Sequence, residues 1–303
     1  MRSNEKQYEA RSYKMTFDEF LNQAWNDHAT ESEQVANRLS DATSLIEKND
    51  QIPAMAHLIA HVFGEHLGFW DKGIQSLQKL KAIPVFDSTS ESSKAIARFI
   101  ASLELSSGKR QSVDDLSLSD QVRVLAVSAS ALSEQKNPDK ATKLFREALN
   151  KGQLGIDQAD PANRALAVAG NNLACALEEK TTRTKSETDL MILAAQAGRK
   201  YWEIAGSWLE VERAEYRLSQ TYLKANDFAK ALEHAQTCLE VAQENNAPPL
   251  ELFFGYEALS LVEKARNNVI GFSKALEQAK ANFEKLSSED KSWCELSLTK
   301  LTK

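Results

Sequence analysis

A chain of 303 residues with 42% apolar side chains can bury a core, and a net charge of −6 argues against a general nucleic-acid binder. Six prolines and 11 glycines, set among abundant Ala, Leu, Glu, Lys, Ser and Gln, point to helix nearly throughout, and no alternating Val/Ile/Thr run suggests a strand. No apolar run reaches the ~18 residues of a membrane span, and the opening M-R-S-N-E-K-Q-Y-E-A has no hydrophobic signal core, so a soluble, cytoplasmic protein is expected.

Residues 1–15 carry no core pattern and are expected to form a flexible tail. Residues 16–50 read as a helical hairpin: Thr16 to His28, with Phe17, Phe20, Leu21 and Trp25 as its apolar stripe, then Glu31 to Lys48. A repeat array is expected over 51–286 and a capping helix over 287–303. The stretch H-L-I-A-H-V-F-G-E-H-L-G-F-W, from His57 to Trp70, holds three of the five histidines. On an α-helix His57, His61 and Glu65 share one face, a geometry that zinc can use.

Ser92 to Ser106 reads as a helix ended by Gly108, and Ser117-Leu-Ser-Asp120 as a capping box opening the next. Asp160-Pro161 caps and begins the helix A-N-R-A-L-A-V-A-G-N-N-L-A-C-A-L, and Lys180 to Asp189 is expected to be a protruding loop. Three later segments repeat one another, starting at Ala194, Ala231 and Ala275. Each has a second small residue four positions on, at Gly198, Ala235 and Ala279, which lets another helix approach closely. Glu289 to Leu301 suits a terminal helix, with Trp293 packed against a helix from Phe272 to Leu286.

The segment Y-R-L-S-Q-T-Y-L-K-A-N-D-F-A-K-A-L, from Tyr216, sets Leu218, Ser219 and Tyr222 before a polar turn, then Phe228 and Ala231. This pattern resembles the tetratricopeptide repeat, most closely from Glu215 to Gln243, though Glu215 and Gln243 stand where that repeat has an aromatic and a proline. Leu125, Ala129, Leu132, Ala141, Phe145 and Ala148 fit the same frame. N-N-L-A at Asn171 resembles the longer repeats of kinesin-light-chain type, and a copy from Tyr256 to Leu286 has about three extra residues before Phe272. The resemblance spans roughly residues 50–286. It implies an all-α, right-handed superhelix (α-solenoid) of stacked antiparallel helix hairpins. In its frame His57 and His61 take the places of Glu215 and Ser219, between the two helices of a repeat, and Gly64 that of Tyr222. They are therefore expected to be partly buried, hydrogen-bonded imidazoles, with a metal site or a pH-responsive contact as the alternatives.

Little else carries chemistry. No G-x-x-x-x-G-K-[ST], G-x-G-x-x-G or G-x-S-x-G occurs, and adjacent acids such as Asp114–Asp115 diverge by about 100° on a helix. Cys175, Cys238 and Cys294 are odd in number, far apart and set within helical patterns, as small core residues in a reducing compartment would be. Neither an enzyme nor a cofactor is expected, nor a nucleic-acid or membrane partner. The resemblance implies a non-catalytic scaffold or adaptor that binds a protein or extended peptide on its concave face. The groove positions in the family frame are Asn171, Asn172, Arg213, Tyr216, Arg217, Gln220 and Lys224. Asn amides clamp a peptide backbone, Tyr gives a flat apolar contact, and Arg213 with Arg217 forms a positive strip suited to an acidic segment, unless Glu210, Glu212 or Glu215 pairs with it. A peptide-responsive regulatory receptor is the alternative, and a metal-dependent enzyme around His57 and His61 a third reading. The sequence leaves the oligomeric state open.

Overall fold

The computed structural model describes residues 15–302, so all of the expected tail but Met15 lies outside the described residues. Among the described residues every regular element is helical, and the chain divides at Glu104 and Leu105 into two compact units.

The first unit holds α1 (Phe17–Asp27), α2 (Ser32–Ala42), α3 (Ile52–Ala60), a π-helical turn (His61–His66), α4 (Trp70–Lys79) and most of α5 (Glu91–Ser107). A reciprocal capping box starts α1. The Thr16 N–H donates to Glu19 Oε2 at 2.8 Å, and the Glu19 N–H to Thr16 Oγ1 at 3.3 Å. The expected stripe is the packed face: Phe17 and Phe20 are buried, and Leu21 and Trp25 rest against a core that includes Leu39, Met55, Leu58 and Leu77.

Between α3 and α4 the helix widens. The Leu67 N–H donates to Val62 O, five residues back, and the Phe69 N–H to Phe63 O, six back, with Gly68 at a left-handed φ of 62°. The matching turn of the second unit closes only five back, from Asp227 N–H to Tyr222 O. The extra residue places Phe63, and not Gly64, at the Tyr222 position. Counting back from Phe63, buried Ala56 and Ala60 replace Glu215 and Ser219. His57 and His61 move on to the positions of Tyr216 and Gln220, away from the helix–helix seam. His57 keeps an exposed edge, but its ring packs on Phe99 at 5.6 Å and Trp25 at 5.1 Å and burial lowers its pKa, so it is partly covered, outside the seam where it was expected. An α-helical count cannot register a π-turn, and the error has that origin.

The second unit contains α6 (Leu118–Glu134), α7 (Pro138–Gly152), α8 (Pro161–Glu179), α9 (Lys185–Ala205), α10 (Trp208–Lys224), α11 (Phe228–Glu244), α12 (Pro249–Ala265), α13 (Val269–Phe283) and α14 (Ser288–Thr302). Each consecutive pair from α6–α7 to α12–α13 is a hairpin, and α6, α8, α10 and α12 lie side by side as an inner layer. This is an α-solenoid of stacked antiparallel hairpins.

Three of the hairpins share one turn. Lys136, Asn226 and Asn267 take φ of 59°, 62° and 59°, and the N–H of the following residue reaches five residues back at 2.9 Å each time. That following residue, Asn137, Asp227 or Asn268, also caps the next helix by accepting from the N–H of Lys140, Lys230 or Gly271. One turn therefore ends a helix in Schellman fashion and starts the next. It also fixes the register of the last hairpin. Val269 follows its cap as Phe228 does, so no extra residues precede Phe272.

Two other expectations change. Thr184 caps α9 through a box with Glu187, so Lys185 to Asp189 are helical and no loop protrudes there. Arg183 ties the short linker down, donating to the carbonyls of Leu177, Glu178 and Lys180 at 2.9, 3.2 and 2.6 Å. The terminal helix α14 packs on α12 and α13 through Cys294, Leu298 and Leu301, while Trp293 is 66% exposed and meets Phe254 of α12 at 5.2 Å. The face holding Cys294 is apolar too, and a small thiol fits closer to Phe253 and Ala279 than an indole would.

Where α8 crosses α9 the two backbones touch. A Cβ on Gly170 would lie 2.6 Å from Ala194 O and 2.7 Å from Gly198 N. Replacing glycine by alanine inside a helix ordinarily stabilises it by ~1 kcal/mol. Gly170→Ala is instead expected to cost about 1–3 kcal/mol, read as a lower urea midpoint with an unchanged slope. An equal or higher midpoint would show that these helices are not held so close.

Candidate functional site

A groove of about 420 Å³ opens in the second unit. Asn171 of α8 and Arg213, Tyr216 and Arg217 of α10 line it, so the fold brings together four of the seven residues assigned to the open face. Trp202, Leu250, Phe254 and Trp293 add an apolar wall, and Glu210, Glu212 and Glu251 add carboxylates. Asn172, Gln220 and Lys224 are not part of the lining. Asn172 is exposed and its Oδ1 accepts from Asn171 Nδ2 at 3.3 Å. Lys224 is exposed at the end of α10, and the buried Gln220 Nε2 has no acceptor among the described residues.

The positive strip expected on α10 is already neutralised. Arg213 forms a two-pronged pair with Glu251 of α12, Nη2 to Oε1 at 2.6 Å and Nε to Oε2 at 3.2 Å. Arg217 pairs with Glu178 of α8, which also accepts from the Thr221 hydroxyl at 2.5 Å. Neither arginine uses the acids on its own helix. Those have other tasks: Glu215 holds Arg199 of α9 at 2.5 Å and His234 of α11 at 2.7 Å. Tyr216 donates to Glu257 of α12 at 2.9 Å. Five partners from four helices, α8, α9, α11 and α12, thus reach α10. The paired acids were missed by sequence reasoning, although one signal was present: Glu178 continues the buried stripe of Ala167 and Ala174, and an acid on such a stripe needs a cation.

Burial sets the electrostatics of this layer. It pushes the Glu178 carboxyl above its ordinary range in spite of Arg217. At Glu212, which is 1% exposed, burial with Glu251 nearby raises the carboxyl to about 7, against a hydrogen bond from the Cys238 thiol at 2.9 Å. Burial likewise raises all three cysteines, Cys294 to about 11, so none is an activated thiolate.

Two expected outcomes follow from these pairs. Arg217→Glu sets two carboxylates together in a buried position, and chemical denaturation should show a loss of about 3–5 kcal/mol. A variant as stable as the wild type would mean that Arg217 is free to bind ligands. For Glu212, the folded protein holds the proton more tightly than the unfolded chain, whose carboxyl titrates near 4.5. Its contribution is intact below that value and is lost as pH rises towards 7. Glu212→Gln, which keeps an acceptor for Cys238, should therefore raise the melting temperature at about pH 8 and change it little at about pH 4. Equal effects at both pH values would contradict a shifted carboxyl.

No protein-family model and no curated protein sequence matches the chain. Among solved structures it is similar to the crystal structure of BtubC (BKLC) from P. vanneervenii, with a TM-score of 0.48 and 15% identity over 89% of this chain and 91% of that one.

Proposed function

We propose that this chain is a non-catalytic scaffold of tetratricopeptide-repeat type, which holds an extended protein segment in the groove of its second unit. The observation that carries the reading is the groove wall. Trp202, Leu250, Phe254 and Trp293 form an apolar surface beside polar groups, and Trp293 keeps 66% of its area exposed on a packed helix. A large indole left open on a rigid element is the kind of anchor point that dominates binding energy at interfaces. The raised thiols support a binding role over a nucleophilic one.

The chemistry of the partner follows from what the groove leaves available. Arg213 and Arg217 are engaged by Glu251 and Glu178, so an acidic segment has to compete with built-in carboxylates. An aliphatic or aromatic side chain faces no such competition. The preferred partner is therefore a segment with an apolar anchor seated between Trp202, Phe254 and Trp293, with its backbone amides beside Asn171.

Selection of a random peptide library on the full-length chain tests this reading. Enriched sequences should share an apolar anchor and lose at least about tenfold in affinity on Trp293→Ala. That variant should melt close to the wild type, because the indole contributes little to the core. Peptides that bind Trp293→Ala equally well, or an acidic consensus weakened by salt, would return recognition to another surface or to the arginines.

A further inference from the structure

Four of the five histidines fall in the first unit, and three of them meet. His28 closes α1, while His61 and His66 bracket the π-turn. One ring nitrogen from each lies within 4.8 Å of the others, and the ring centroids are 4.7, 4.9 and 5.1 Å apart. The backbone explains the meeting. Five residues along an α-helix turn a side chain about 140° away. The wider hydrogen-bonded turn, in which Leu67 N–H reaches Val62 O, returns His66 to the side of His61.

The tautomers follow from the partners. His28 Nδ1 is 2.5 Å from the Trp25 carbonyl oxygen, which only accepts, so Nδ1 carries the proton and Nε2 a lone pair. His61 Nδ1 is 3.2 Å from Glu65 Oε1, with the same consequence. His66 Nε2 lies 3.1 Å from His61 Nε2. Two lone pairs cannot face each other at that distance without a proton or a cation between them. A tetrahedral zinc ion with ~2.0–2.1 Å bonds sets its nitrogens about 3.3–3.4 Å apart, close to the spacing found. Orientation of each ligand ring by a carbonyl or carboxylate on its other nitrogen is the usual support of metal-binding histidines. Asp27, the nearest acid in sequence to His28, is held by Arg38 at 2.7 Å and is not part of the set.

We propose that His28, His61 and His66 bind a divalent transition-metal ion of the Zn²⁺ class through their Nε2 atoms. Glu65 and the Trp25 carbonyl orient His61 and His28. On binding, the proton between His61 and His66 moves to His66 Nδ1, and the cation takes its place. Three protein ligands leave the fourth position to water or another exchangeable ligand, the pattern of an open site. His57 stands outside the set: it stacks on Phe99, and its ring centroid is 6.3 Å from that of His61.

The test is titration of the chelator-stripped, untagged full-length chain with Zn²⁺ alone. About one equivalent should bind, with the melting temperature rising in step. His28→Ala, His61→Ala and His66→Ala should each weaken binding by about a hundredfold or more, and Glu65→Gln by about tenfold, with His57→Ala near the wild type. Co²⁺ added to the wild-type chain gives a readout that needs no variant: the intense visible bands of a tetrahedral nitrogen site. Absence of a stoichiometric zinc site, octahedral Co²⁺ bands, or an affinity unchanged by all three alanine variants would overturn the proposal. Equal loss in His57→Ala would overturn the ligand set.

Discussion

Buried carboxylates impose the constraint around which the inner layer of the second unit is arranged. Glu178, Glu212, Glu215, Glu251 and Glu257 are each less than 8% exposed. A carboxylate taken out of water is tolerated only where donors meet it, or where it holds its proton. Glu212 takes the second course, and the others find donors on neighbouring helices. Arg217 reaches back to α8, Arg213 and Tyr216 reach forward to α12, and Arg199 and His234 close on Glu215 from α9 and α11. Sliding one inner helix past the next would separate several of these pairs at once. The pairs therefore fix registry, which smooth apolar packing alone leaves loosely specified.

The same bonds engage the charges that line the groove. Arg217 is held by Glu178 and the more exposed Arg213 by Glu251, beside the apolar wall of Trp202, Leu250, Phe254 and Trp293. The rigid frame beneath comes from local rules: a shared left-handed turn with its Asn or Asp cap, and small residues where backbones touch.

Most of the fold was legible in the sequence because helical repeats announce themselves through period and small residues. Ala129, Ala141, Phe145, Ser219, Ala231 and Ala235 fit the small and aromatic positions of the repeat that the chain resembles, and all are buried. The failures have specific causes. Trp293 was expected to pack on α13 but is 66% exposed, and the buried face of α14 carries Cys294, which was expected in the core, and Leu301. The capping box T-K-S-E at Thr184 was read as part of a loop. Arg213, Tyr216 and Arg217 line one groove with Asn171, yet their partners lie about 40 residues away in sequence, and no local pattern reports a pairing at that distance. The histidine set was hidden twice: by a π-turn that an α-helical count cannot see, and by His28, which comes from another helix.

The double-mutant cycle between Arg217 and Glu178 bears most directly on whether the groove arginines are architecture or recognition. Arg217→Met, Glu178→Leu and the double variant would be compared with the wild type by denaturant unfolding. A coupling energy of about 2 kcal/mol or more, with the double variant recovering much of the stability lost by either single change, is the expected result. A coupling indistinguishable from zero would mean that the pair does not hold α8 to α10, and that Arg217 stands free for a ligand.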